Sequence, residues 1–393
     1  MKTLALAAAL LAATSTVALA GRLHTLHIFA GTDGAAPQTP LLAGGAGNFY
    51  GATLSGGSAN LGTVFRLAAD GSVTTLHAFR AGHGAAHPSG QLVLLSDGSI
   101  AGAGDRADGK DGTVIFKLSP SGRASVLHRF GRNDPAGMTL TGGVAKGADD
   151  SLYGATSSGG RYGCGTLFHL TKTGTVEILH DFAGSANNDG CSPGFTVPLL
   201  DAQGDIYGTT YQGGFSGAGV VYKRAADGTY GLVHDFDNFP GHGDGAAPTG
   251  PLLRDAQGNL YGTTESGDPA GAEGGTVWRL APSGGMSLLH KFSGAVTFDH
   301  DGSDPTGGVT LDAEGNLYGT TRVGGDANLG TVFKIAPDGR ERVLHVFNVV
   351  DGIQPVPAPT LDAQGNLLGT TALCGIDGSG GCQQGTVFKL PLK

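Results

Sequence analysis

With 72 glycines and 18 prolines among 393 residues and only 15% charged side chains, the chain resembles either a turn-rich β protein or a low-complexity segment. Its formal charge of −9 and lack of any basic run disfavour nucleic acid and anionic membranes, which are held by clustered Lys and Arg. After residue 20 no glycine-free run exceeds 12 residues, so helices have nowhere to form, while recurrent short apolar strands argue against disorder.

Residues 1–20 read as a secretory signal. Lys2 is the positive start, Leu4 to Leu11 the apolar stretch and Ala18-Leu19-Ala20 the small-residue cleavage site. The apolar part is too short for a membrane span. No Cys follows the cut to carry a lipid, and nothing at the C-terminus resembles an anchor. Residues 21–393 are therefore expected to form one soluble, monomeric domain outside the cytoplasm, extracellular or periplasmic.

The rest of the chain is one repeated phrase. Leu-His-x-Phe stands at Leu26–Phe29, Leu76–Phe79, Leu127–Phe130, Leu179–Phe182, Leu289–Phe292 and Leu344–Phe347, with Val233–Phe236 as a variant. A Gly-Thr-Val-Phe-like phrase also occurs seven times, from Gly62–Phe65 to Gly385–Phe388, and a Tyr-Gly-Thr-Thr-like phrase precedes it, as at Tyr318–Thr321. Repeats of about 50 residues signal a solenoid, propeller or array. In residues 308–347, Gly308–Leu311 reads as a first strand and Leu317–Thr321 as a second. A glycine-rich loop leads to a third at Gly330–Ile335, and Pro337-Asp338-Gly339 turns the chain into a fourth at Glu341–Phe347. Four antiparallel strands in each of seven repeats predict an all-β, seven-bladed propeller. A parallel β-helix is the alternative, but its coils are shorter and its ends are capped. The chain starts on a fourth strand and ends on a third, so residues 22–29 are predicted to join residues 359–390 in the last blade. That pairing closes the ring and hides two sheet edges.

Gln257–Thr264, followed by Gly275–Trp278 and Leu289–Phe292, resembles the GloVer tandem repeat of secreted bacterial proteins described as choice-of-anchor. The resemblance spans all seven repeats and implies an exported propeller. It implies no particular reaction. The second repeat departs most, since Ser99–Ala103 lacks the Tyr and both Thr, and the anchor segment that names the family is missing.

The seven repeated histidines (27, 77, 128, 180, 234, 290 and 345) read as structural, because a catalytic group is needed once and not once per blade. Each is expected to bond a Thr or backbone group between blades. The Gly of each Tyr-Gly is expected to let adjacent blades approach. Function belongs on the long variable loops, which share one face of a propeller. There an Asp-Gly recurs at Asp33, Asp189, Asp244, Asp301 and Asp351. It fits a turn signature, and it also fits a ring of carboxylates at the channel mouth that would hold a cation or polar ligand. The Asp301 loop lacks the spacing of a calcium site. His83, His87, His242 and His300 also fall in inter-blade loops. His242, Asp244, Asp299, His300 and Asp301 are the candidate ligand-binding group, with chemistry suited to proton transfer or metal ligation. No catalytic residue can be placed, and no cofactor or resident metal is expected.

Four cysteines in an exported chain permit three pairings, of which Cys164 with Cys191 and Cys374 with Cys382 is the simplest. Neither pair has the CxxC spacing of a zinc site. The expected function is a non-enzymatic module binding an extracellular polysaccharide, envelope component or protein. The alternative is a metal-dependent lyase or hydrolase, since the Asp-x-x-Gly-Asn-Leu-Tyr unit is loosely similar to streptogramin-lyase-like propellers and would bring a divalent cation. A converging His/carboxylate cluster at the channel mouth would favour the lyase, and an aromatic-lined or flat mouth would favour binding.

Overall fold

In the computed structural model the described residues are 21–82, 84–237, 243–267, 274–294, 301–375 and 384–392. The predicted signal segment 1–20 and the residues His83, His242, Asp299, His300 and Cys382 lie outside them.

Seven antiparallel sheets of the predicted kind form a seven-bladed propeller. In the sixth, Val309–Leu311, Leu317–Thr321, Thr331–Ile335 and Glu341–Val346 pair in sequence order. The first strand of the first blade is broken into Ala35–Pro37 and Leu42–Ala43, both paired with Phe49–Ser55. In the seventh blade, Thr360–Leu361, Leu367–Thr371 and Thr386–Leu390 are completed by His24–Ile28 from the start of the chain. The register runs from His24 opposite Lys389 to Ile28 opposite Thr386. The ring therefore closes as predicted. Among the described residues no α-helix forms, and no helix is long and apolar enough to cross a membrane.

Aromatic rings hold neighbouring blades together. The Phe that ends each fourth strand packs on the third-strand aromatic of the next blade: Phe29 on Phe65, Phe79 on Phe116, Phe130 on Phe168, Phe182 on Tyr222, Phe236 on Trp278, Phe292 on Phe333 and Phe347 on Phe388. Centroids lie 5.0–5.6 Å apart, mostly edge to face, the favourable geometry for such pairs. The repeated Gly serves these rings rather than the blade approach expected from sequence. A Cβ on Gly51, Gly262 or Gly319 would lie 2.3–2.4 Å from the ring of its cross-strand partner Phe65, Trp278 or Phe333. Gly102 keeps that role in the second repeat, where the Tyr and Thr are lost.

The Asp-x-x-Gly-Asn turn also has a physical reason. Asp312 accepts hydrogen bonds from the Asn316 backbone (2.8 Å), the Asn316 amide (2.7 Å) and the Tyr318 hydroxyl (2.9 Å). Burial alone would raise this carboxyl, but the hydrogen bonds outweigh it and hold Asp312 below its ordinary value. Asp255 and Asp362 are lowered in the same way.

Candidate functional site

The repeated histidines bond side chains of the inter-blade loops, where Thr or backbone partners had been expected. The imidazole Nε2 lies 2.6–2.9 Å from an Asp carboxylate in His27–Asp33, His128–Asp134, His180–Asp189, His234–Asp244 and His345–Asp351, and 3.3 Å away in His290–Asp301. Only His77 follows the expectation, with Nδ1 3.0 Å from the Gly122 carbonyl. The other carboxylate oxygen often accepts a backbone N–H at the loop start, from Ala30 to Asp33 and from Asn348 to Asp351. Each Asp thus ties its loop to the strand before it. Asp244 and Asp301 of the predicted ligand group take part in these latches.

The loops and the second-to-third-strand connections do share one face. Gly190–Cys191 pairs with Gln212–Gly213, Gly302–Ser303 pairs with Val323–Gly324, and Cys164 is bonded to Cys191 across 27 residues. Cys374 is also disulfide-bonded, while its predicted partner Cys382 lies outside the described residues.

The axial channel opens on this face as a cavity of about 380 Å³ bounded by all seven blades. Its described lining is neutral: Pro40, Leu54, Pro88, Phe195, Val197, Pro251 and Pro357 supply apolar surface, and Gln38, Ser89, Gln91, Thr141 and Thr306 supply polar groups. A further cavity of about 370 Å³ continues from it past Gln91, Val197 and Pro251. A larger groove of about 610 Å³ lies between the seventh and first blades, beside the Lys389–Asp362 ion pair. A similar groove recurs between the second and third blades, so it belongs to the repeat.

Two columns of variable side chains lie next to residues of the mouth, and one of them, Leu54, lines the cavity itself. The residue after each second-strand phrase is Leu54, Asp105, Ser157, Tyr211, Glu265, Arg322 or Ala372. Beside it stands the residue before the inter-blade proline: Ala36, His87, Ser192, Ala247, Asp304 or Gln354, each with φ between 44° and 63°. Left-handed backbone is disfavoured for a non-glycine residue, and more so before proline. It is held by stitches on both sides: the Asp304 N–H donates to Gly274 of the preceding blade (2.8 Å), and the Asp304 carbonyl accepts from Arg322 (3.0 Å).

Charge gathers on the fifth and sixth blades, at Glu265, Asp304 and Arg322, next to Tyr211 of the fourth. The Arg322 guanidinium donates to Asp304 Oδ2, while Asp304 Oδ1 finds no donor among the described residues although Asp304 is only 6% exposed. Burial pushes the Asp304 carboxyl up, Arg322 opposes this, and Glu265 adds to it. Burial, then Glu265, also raises the Tyr211 hydroxyl. The Tyr211 ring lies 5.2 Å from Phe195, which is 47% exposed on the lip. On the second blade, burial raises Asp105 and His87 opposes it.

A separate polar cluster lies at the seam of the fifth and sixth blades. Ligand atoms of His290, Asp301 and Glu341 all fall within 4.8 Å of one another. Burial raises Glu341 to about 7, against the pull of His290 and with a further push from Asp301.

Sequence reasoning sought the site in the loop carboxylates and passed over the residues after each Thr-Thr and before each Pro. The signal was present. Stacking the repeats shows these two columns varying between constant neighbours.

The Gloeobacter/Verrucomicrobia repeat matches residues 14–141, 105–299 and 272–393. No curated protein sequence matches the chain. Among solved structures, the extracellular domain assigned to a hybrid two-component system of B. thetaiotaomicron aligns with a TM-score of 0.55 at 12% identity. The alignment covers 94% of this chain and 39% of that one, so this chain spans well under half of its length. A gluconolactonase from Xanthomonas campestris aligns at 0.44 and 15% identity over 96% and 99% of the two chains. The first of these likenesses supports the propeller fold, and at such identities nothing beyond it.

Proposed function

The chain belongs to the Gloeobacter/Verrucomicrobia repeat family, and from that premise and the geometry of its channel mouth we propose an exported module that binds a hydroxyl-rich ligand, a polysaccharide, at the mouth of the axial channel. The observation that carries this reading is Asp304 Oδ1, a buried acceptor with no donor among the described residues. Leaving such an acceptor unpaired costs about 1–3 kcal/mol, which a ligand hydroxyl would recover on displacing the exposed Arg322 side chain that lies against Asp304. An apolar floor with a few placed polar groups and an aromatic lip at Phe195 and Tyr211 suits a sugar ring, which presents both apolar faces and hydroxyls. Two columns of unlike side chains favour one asymmetric ligand over seven equal contacts. The disulfide between Cys164 and Cys191 is consistent with an oxidising compartment, where such ligands occur.

The test is a thermal-shift and glycan-array screen of the purified protein, repeated with Phe195→Ala. Native-state ligands raise the melting midpoint. A glycan should raise it for the wild type, and Phe195→Ala should lose at least about tenfold in affinity, or ~1.4 kcal/mol, with its ligand-free midpoint unchanged. Full retention of binding in that variant, or no glycan hit, overturns the proposal. Unsaturated sugar products in the same mixtures would favour the lyase reading.

A further inference from the structure

The cluster between the fifth and sixth blades departs from the repeat in two independent ways. The position four residues before each repeated histidine is occupied by Leu23, Val73, Ala124, Val176, Tyr230, Met286 and Glu341. Five of these are apolar, as suits a seam between packed sheets. At Tyr230 the hydroxyl donates to Asp189 Oδ1 (2.7 Å) and the ring stacks on His180, so the polar group completes the latch of the preceding blade. Glu341 stands in the same relation to His290 and Asp301 but brings an acceptor. Its Oε1 is enclosed and has no hydrogen-bond partner among the described residues.

The second departure is the latch itself. The five other His–Asp pairs lie at hydrogen-bonding distances of 2.6–2.9 Å, whereas His290 Nε2 stands 3.3 Å from Asp301 Oδ2. Ligand atoms about 2.0–2.1 Å from a tetrahedral zinc ion lie roughly 3.4 Å from each other. The loosened pair therefore has the spacing of two ligands on one ion, at the one seam that offers a third ligand among the described residues.

We propose that His290, Asp301 and Glu341 form a binding site for a divalent transition-metal ion of the zinc type, tying the fifth blade to the sixth. One imidazole and two carboxylates suit zinc or a similar borderline cation, with remaining positions taken by water. A divalent ion offsets the negative charge that the two carboxylates bring together, as the Tyr230 hydroxyl satisfies Asp189 at the equivalent seam by donating to it. The site lies among outer strands, away from the channel mouth, so its role is to brace the ring.

The test compares wild-type protein with Glu341→Met and Glu341→Gln after chelation and dialysis. Glu341→Met restores the residue type found at the equivalent Met286, so this variant should fold, and circular dichroism checks that it does. Calorimetric titration with zinc should show one site per chain in the wild type and at least tenfold weaker binding in both variants. Zinc should also raise the melting midpoint of the wild type and leave that of Glu341→Met unmoved. Failure of the wild type to bind zinc, or equal affinity and stoichiometry in the variants, overturns the proposal. Neither outcome bears on glycan binding at the mouth.

Discussion

The glycine under each third-strand aromatic permits a demanding test, because the chain contains a control glycine in an equally regular strand. Gly319 lies in Leu317–Thr321 opposite Phe333. A Cβ there would sit 2.3 Å from Phe333 Cζ and 2.7 Å from Cε1. Comfortable carbon contacts are about 3.5–4.0 Å, so the ring would have to retreat by more than ~1 Å. It has nowhere to go: Phe333 is 0% exposed, and Phe292 of the preceding blade packs on it at 5.1 Å. Overpacking of this kind costs about 1–3 kcal/mol, and the direct hit on a clamped ring places Gly319→Ala towards the upper end. Gly231, in Tyr230–Asp235, has nothing within 4 Å of its added Cβ. Its replacement by Ala should be neutral or stabilise by about 0.4–1 kcal/mol, through lost freedom of the unfolded chain. Equilibrium urea denaturation of both variants measures the difference, expected at about 2–4 kcal/mol. Adding Phe333→Leu to Gly319→Ala should recover part of the loss as a positive coupling. Equal midpoints for Gly319→Ala and Gly231→Ala would refute the account of why the repeat keeps its glycine.

Three further outcomes are expected. Reduction of the Cys164–Cys191 bridge, which closes 27 residues, should cost roughly 3 kcal/mol and lower the melting midpoint without opening the ring at room temperature, as scans with and without reductant would reveal. His180→Ala should cost about 1–3 kcal/mol by leaving Asp189 short of one partner and Tyr230 without its stacked ring, measured by the same denaturation. Asp255, Asp312 and Asp362 have depressed folded-state values, so their contribution is present above the unfolded value of about 3.9 and is lost as pH falls through the lower folded values. Replacing all three by Asn should flatten the acid limb of a stability-against-pH curve below about pH 4, and an unchanged limb would count against these hydrogen bonds.

Much of the fold was legible because repetition turns weak local signals into strong ones. One Leu-His-x-Phe is an unremarkable strand end, but seven of them fix blade number, strand order and the offset that pairs His24–Ile28 with Thr386–Leu390. What those residues touch was less legible. Strand alternation correctly put His and Phe on one face, and the rings meet at 4.6–4.9 Å in every blade. Yet alternation says nothing about a partner six to eleven residues further on, across a loop of variable length. The spacing from His27 to Asp33 and from His290 to Asp301 differs, and Asp134 lacks the following Gly, so the latch was hidden from a pattern search. The Gly of Tyr-Gly was misread for a similar reason, because its partner is set by cross-strand register, which a single strand does not reveal.

The mouth residues were missed for the opposite reason, being adjacent to the most constant phrases in the chain. Their variation becomes meaningful only once the framework is understood. Seven aromatic pairs over glycines and the His–Asp latches hold the framework together, and they leave the residue after the Thr-Thr and the residue before the proline with little part in the core. At Ala36 and Leu54 the pair is small and apolar, whereas at Asp304 and Arg322 a buried carboxylate meets an exposed guanidinium, with one acceptor oxygen left without a donor among the described residues. Such a pair is weak evidence for stability, because burying the carboxylate costs desolvation while the exposed guanidinium is screened by water. The five latches at direct hydrogen-bonding distance and seven aromatic contacts already hold this ring closed. The position therefore makes sense as chemistry directed at a ligand, and the strained backbone beneath it as the means of presenting that chemistry at the channel.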